Sequence, residues 1–118
     1  MSSEYPFTDV PTIDETVANP LKELLGDSFY ELVNDFLTDF PVKFKSLLSA
    51  QDGNDVDTIF KIAHTLKSSS GSFGFIRLYK QLEHLELQAR KDNLIKPDEQ
   101  LTFIEQEFNK VVSETDRH

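Results

Sequence analysis

His64-Thr65-Leu66-Lys67-Ser68-Ser69-Ser70-Gly71-Ser72-Phe73-Gly74 is the stretch on which the reading of this chain turns. A titratable imidazole stands one helical turn before a lysine, and small side chains fill most of the run from Ser68 to Ser72. On a helix, residues three, four and seven apart share a face. His64, Lys67, Ser68 and Gly71 therefore form one surface: a nucleophile, a cation and two positions too small to obstruct a third molecule. A helix is predicted over about 55–72, with Ile59, Ile62, Leu66, Ser69 and Phe73 on its apolar side. At about 100° per residue, the centre of that side lies roughly 180° from His64, which therefore faces outward. Ser69 and Ser70 turn toward the core, where small residues let helices approach closely. Gly74 ends the helix.

Four further helices are predicted around this one. A short one covers about 15–25, where Val17, Leu21, Leu24 and Leu25 have helical spacing. Gly26 ends it, and Asp27 or Ser28 can cap the next. That second helix, about 28–50, carries Phe29, Leu32, Val33, Phe36, Leu37, Phe40, Phe44, Leu47 and Leu48 at spacings of three and four. Pro41 inside it predicts a kink. Asp52-Gly53-Asn54 is a turn, with Asn54 or Asp55 as the N-cap of the motif helix. A fourth helix, about 75–91, has the stripe Leu78, Leu82, Leu85 and Ala89. Pro97 suits the first turn of a fifth, about 97–114, with Leu101, Ile104, Phe108 and Val111 or Val112 inward. Residues 1–14, with Pro6 and Pro11 and little periodicity, are expected to be a flexible tail. Residues 15–118 are expected to form one all-α domain, an antiparallel up-down four-helix bundle with a short extra N-terminal helix.

Composition narrows the function. The chain has 118 residues, enough for one core. Without cysteine it has neither disulfides nor thiolate metal sites, and a reducing cytoplasm is the expected compartment. Met1-Ser2-Ser3-Glu4-Tyr5-Pro6 lacks the basic start and apolar run of a signal peptide. The formal net charge of -9 argues against nucleic acid and anionic membranes as partners, since both need clustered Lys and Arg. Cations do gather in sequence near the motif, at Lys61, Lys67, Arg77, Lys80, Arg90 and Lys91. His84 and His118 lack metal-ligand spacing with His64, so no metal site is expected.

The quoted stretch resembles the phosphoacceptor motif of the histidine-containing phosphotransfer (HPt) domains of multistep phosphorelays, H-x-L-K-G-S-S-x-x-x-G. Only Ser68, in place of glycine, departs from it, and a subset of bacterial HPt proteins carries serine there. The resemblance extends over roughly residues 17–113. Leu24-Leu25-Gly26-Asp27, Phe36-Leu37-Thr38-Asp39-Phe40-Pro41 and Leu85-Glu86-Leu87-Gln88-Ala89-Arg90 are similar to the family's other helices. It implies that His64 accepts a phosphoryl group, that Lys67 stabilises the phosphate and that Glu86 orients the imidazole. Glu83, one turn earlier, is the alternative orienter, and both carboxylates also fit a simple solvated face. The implied partners are the receiver domains of a hybrid sensor histidine kinase and of a response regulator, and the type implied is a free-standing, monomeric bacterial protein. No cofactor is implied on this chain; Mg²⁺ belongs to the receiver.

The chemistry agrees with the residues. Neutral imidazole is a nucleophile that titrates at about pH 6.5. Phosphoryl transfer needs in-line approach and charge neutralisation more than covalent help from the protein. Ser68 and Gly71 keep the approach open, and a large side chain at Gly71 is expected to weaken docking. Phe60, one turn before His64, is either a boundary core residue or part of a docking surface, with Arg90 one turn beyond Glu86 on its far side. No glycine-rich nucleotide segment is present, so ATP-dependent self-phosphorylation is not expected. The rival class is a helical module that binds receiver domains without transfer.

Overall fold

The computed structural model describes residues 4–115. Residues 1–3 of the expected tail, and 116–118 with His118, lie outside the described residues. Within them the chain forms five helices and no strand: α1 (Glu15–Leu25), α2 (Asp27–Asp52), α3 (Val56–Ser72), α4 (Ile76–Arg90) and α5 (Pro97–Thr115). The termini obey local chemistry. The Asp14 carboxylate accepts from the Thr16 N–H at 3.0 Å and caps α1. Asp55 does the same for α3 through the Thr58 N–H at 3.2 Å. Neither Asp27 nor Ser28 caps α2. Gly26 is its N-cap, without a side-chain bond, because that one residue serves both helices. Its N–H donates to the Lys22 carbonyl, and its carbonyl accepts from the Phe29 N–H. The helix α2 continues unbroken through Pro41, which is exposed.

The core is aromatic at its centre. Phe40 and Phe108 stack with ring centroids 4.1 Å apart, and Phe36 touches the rings of Phe73 and Phe75. From α4, Leu78, Leu82, Leu85 and Ala89 are buried, and from α5, Leu101, Ile104, Phe108 and Val111. Two predicted core leucines of α2, Leu32 and Leu48, are instead exposed, as are Val17 and Leu24 of α1, where Ala18 is the buried residue.

The buried face of α3 also differs from its hydrophobic pattern. It consists of Ile59, Ala63, Leu66 and Ser70, while Ile62, Ser69 and Phe73 are half-buried. Small residues lie at the centre because they permit close approach: Ser70 is buried as its position predicts, while a reading weighted toward large apolar side chains passes over Ala63. At about 100° per residue, His64 then lies about 130° from the buried centre, on the shoulder of the helix that borders α4.

Residues 4–14, expected to be a free tail, are laid against the bundle. The Arg77 guanidinium on α4 donates to the Phe7 carbonyl (3.1 Å), the Val10 carbonyl (2.6 Å) and the Thr12 hydroxyl (3.2 Å). Tyr5 donates to Glu107 at 2.5 Å, and the Asp14 N–H donates to the Gly74 carbonyl at 2.7 Å. The segment needs no helical periodicity, because polar bonds to its carbonyls, to its own Tyr5 and Thr12 side chains and to the Asp14 N–H hold it.

Candidate phosphotransfer site on α3 and α4

Three side chains meet where α3 borders α4. His64 Nδ1 lies 2.5 Å from Glu86 Oε2, and Lys67 Nζ donates to Glu86 Oε1 at 2.7 Å. One carboxylate thus serves the imidazole with one oxygen and the ammonium with the other. The side chains are 57% (His64), 18% (Lys67) and 7% (Glu86) exposed. The base of the cluster is dry and its imidazole reaches solvent. Lys67 is engaged rather than free, so it sits within a turn of His64 at a fixed place.

This arrangement sets the electrostatics. Burial pushes the Glu86 carboxyl up, but the hydrogen bonds from Lys67 and His64 outweigh it and hold the group below the usual carboxylate range. The bond to Glu86 pushes the Lys67 ammonium up, against some desolvation. An ionised carboxylate only accepts hydrogen bonds, so Nδ1 carries the proton of the shared bond. In neutral imidazole the lone pair is then on Nε2. Glu83, the alternative orienter, bonds elsewhere: it accepts from the Tyr79 hydroxyl at 3.4 Å.

The other candidate residues lie around this cluster at varying distance. The Phe60 ring is half-buried and lies nearly parallel to the imidazole, 18° between planes with centroids 6.1 Å apart. Ser68 is exposed on the same helix. Arg90 is exposed one turn beyond Glu86, outside the three-residue cluster. Gly71 does not open onto empty space. The Tyr79 ring lies against it, so that a Cβ there would fall 2.9 Å from Tyr79 Cδ2. The cations near the motif do not form one surface: Lys61 pairs with Asp57 at 2.9 Å, and Arg77 turns to the N-terminal segment. Tyr79 is the neighbour that reading the sequence missed. Its signal was the spacing Tyr79, Glu83, Glu86, three residues on one face of α4.

This bundle, with a half-exposed imidazole backed by a carboxylate and a lysine, has the form of a histidine phosphotransfer domain. The Hpt domain family profile matches residues 31–114, more than half of the chain, and the chain belongs to that family. The crystal structure of histidine-containing phosphotransfer protein B (HptB) from Pseudomonas aeruginosa PAO1 is similar, with a TM-score of 0.85 at 26% identity. The match covers 92% of this chain and 98% of that one. No curated protein matches the chain. Among the described residues, no group of three His, Asp or Glu side chains could hold a metal, and no helix is long and apolar enough to cross a membrane.

Proposed function

We propose that this chain is a phosphorelay intermediate. It accepts a phosphoryl group on His64 Nε2 from a receiver-domain aspartate of a hybrid sensor kinase and passes it to a response-regulator aspartate. It works as a cytoplasmic monomer with no cofactor of its own, the Mg²⁺ being held by the receiver. The observation that carries this reading is the pairing of His64 Nδ1 with buried Glu86 on a ring that is half-exposed. The contact pairs His64–Glu86 and Gly71–Tyr79 run in opposite directions along α3 and α4, which supports the antiparallel up-down arrangement.

In the accepting step, the Nε2 lone pair attacks phosphorus in line with the acyl phosphate. The P–N bond forms as the bond from phosphorus to the aspartyl oxygen breaks, and the carboxylate leaves with that electron pair. Positive charge accrues on the ring, and Glu86 at the Nδ1 proton neutralises it. Lys67, three residues from His64 and bonded to the same carboxylate, supplies a cation for the phosphate oxygens. The return step is the reverse with a different aspartate. The charge stabilisation is electrostatic and preorganised, which suits a reaction with little covalent demand on the protein.

The test is to incubate the protein with a phosphorylated receiver domain and Mg²⁺ and to look for an acid-labile, alkali-stable phosphate. Wild type takes up label, and His64→Gln does not. Equal labelling of the two would place the acceptor elsewhere. Binding without labelling of either would favour the non-transferring interaction module.

A further inference from the structure

Tyr79 occupies a position that neither the motif nor the proposed chemistry uses. On α3, Lys67 and Gly71 lie one and two turns beyond His64. On α4, Glu86, Glu83 and Tyr79 face them in reverse order. Lys67 Nζ lies between the ends of this row, 2.7 Å from Glu86 Oε1 and 6.0 Å from the centroid of the Tyr79 ring. The ring fills the space that a side chain at position 71 would take: an added Cβ would meet Cδ2 at 2.9 Å and Cε2 at 3.2 Å. Its hydroxyl reaches Glu83, which ties down the far end of the ring. Lysine has a long flexible stem and a compact charge. The bond to Glu86 holds the ammonium at one end, and a wall on the side away from His64 limits how far it swings along α3 whenever that bond opens. An aromatic face there bounds the slot and attracts the cation weakly.

We propose that Tyr79 is a positioning residue for phosphoryl transfer: its ring, seated on Gly71, closes the slot and keeps the Lys67 ammonium at the His64 end. The absence of a side chain at Gly71 then serves the seat of the ring rather than the approach of the partner. Tyr79 touches neither the imidazole nor the phosphate and acts through Lys67. This inference rests on His64 being the phosphoacceptor.

A double-mutant cycle tests it. Gly71→Ala displaces the ring and slows transfer from a phosphorylated receiver several-fold, and Tyr79→Ala does the same. In the Tyr79→Ala background, Gly71→Ala slows transfer no further, because the ring it strikes has gone. The loss falls on kcat rather than KM, since the lysine acts on the transferring group. Tyr79→Phe, which keeps the ring, restores most of the rate lost in Tyr79→Ala. The NOEs between the Lys67 ε-methylene and the Glu86 side chain, which do not depend on the ring's own field, weaken in Tyr79→Ala and hold in Tyr79→Phe. Urea unfolding establishes that each variant is folded, and Tyr79→Leu replaces Tyr79→Ala if that variant is not. Two results overturn the proposal: an equal effect of Gly71→Ala with and without Tyr79, or Lys67–Glu86 NOEs unchanged by removing the ring. The resonance measurement needs no phosphate. A wild type that accepts no label therefore fails the reading of His64, while the seating of Lys67 is still decided separately.

Discussion

Glu86 has two oxygens and uses both, and this makes it the most connected side chain at the site. Its carboxyl titrates below the usual range in the folded protein, so the unfolded chain binds its proton more readily. The stability it contributes is present above the unfolded glutamate value, about 4.3, and is lost as pH falls through the lower folded value. Glu86→Gln keeps an acceptor for Nδ1–H but has no charge to protonate. Urea midpoints tracked from about pH 7 to pH 3 should therefore fall less steeply in the variant than in wild type. Parallel curves would mean that the Lys67 and His64 bonds do not persist in solution. Lys67 itself is expected to matter for rate more than for folding. Lys67→Ala should slow transfer by roughly a hundred-fold or more, as removal of one charge-stabilising donor does elsewhere, with an unchanged helical circular-dichroism spectrum. Loss of helix in that variant would contradict its place at the rim of the bundle.

At the scale of elements, the helices were legible because each carries large apolar residues at helical spacing and ends on a chemical signal. Gly26, Asp55 and Pro97 mark three of those ends. The rotation of α3 was only partly legible: Ser70 was placed toward the core, but Ala63, which is not conspicuous by hydrophobicity, was not, and Ile62 and Phe73 drew the apolar centre to one side. That rotation matters because it turns His64 toward α4 and within reach of Glu86. A contact between residues 22 positions apart on two helices leaves no local trace. The family resemblance implied Glu86 as the orienter, with Glu83, one turn earlier, as the alternative. The joint after α3 is tightly constrained. Gly74 has φ of +81°, and a Cβ there would lie 2.8 Å from the Asp14 carbonyl oxygen, a backbone atom that cannot rotate away. Gly74→Ala should destabilise the protein by about 1–3 kcal/mol, the scale of a strained left-handed residue. It should also loosen the start of α1, since the Asp14 N–H donates to the Gly74 carbonyl. Urea unfolding with amide exchange at residues 14–18 measures both. A change below about 0.5 kcal/mol would show that the joint relaxes freely.

The whole molecule is closed by contacts that no periodicity announces. Residues 4–14 carry no helical pattern, and what holds them is a guanidinium 65 to 70 positions away, donating to two carbonyls and a hydroxyl. Arg77 is one of the cations that gather in sequence near the motif. In the fold its side chain is 14% exposed, and it also pairs with the fully buried Glu107 at 3.5 Å. Glu107 has few other partners: Tyr5 donates to one oxygen, and the second has no hydrogen bond among the described residues. Burial, and then the bond to Glu107, push the Tyr5 hydroxyl well above its ordinary range, so it remains a donor rather than a competing anion. Arg77 therefore does two things at once, holding the segment and answering a buried charge, and the two can be separated. Arg77→Ala should destabilise the protein by about 3 kcal/mol, as removal of one partner from a buried pair does, and should expose residues 4–14 to protease. In a Glu107→Gln background no charge is stranded. The same substitution should then cost clearly less while the segment is cleaved just as readily. If Arg77→Ala costs the same in both backgrounds, the ion pair contributes nothing, and the hydrogen bonds to the Phe7 and Val10 carbonyls and the Thr12 hydroxyl account for all that Arg77 does.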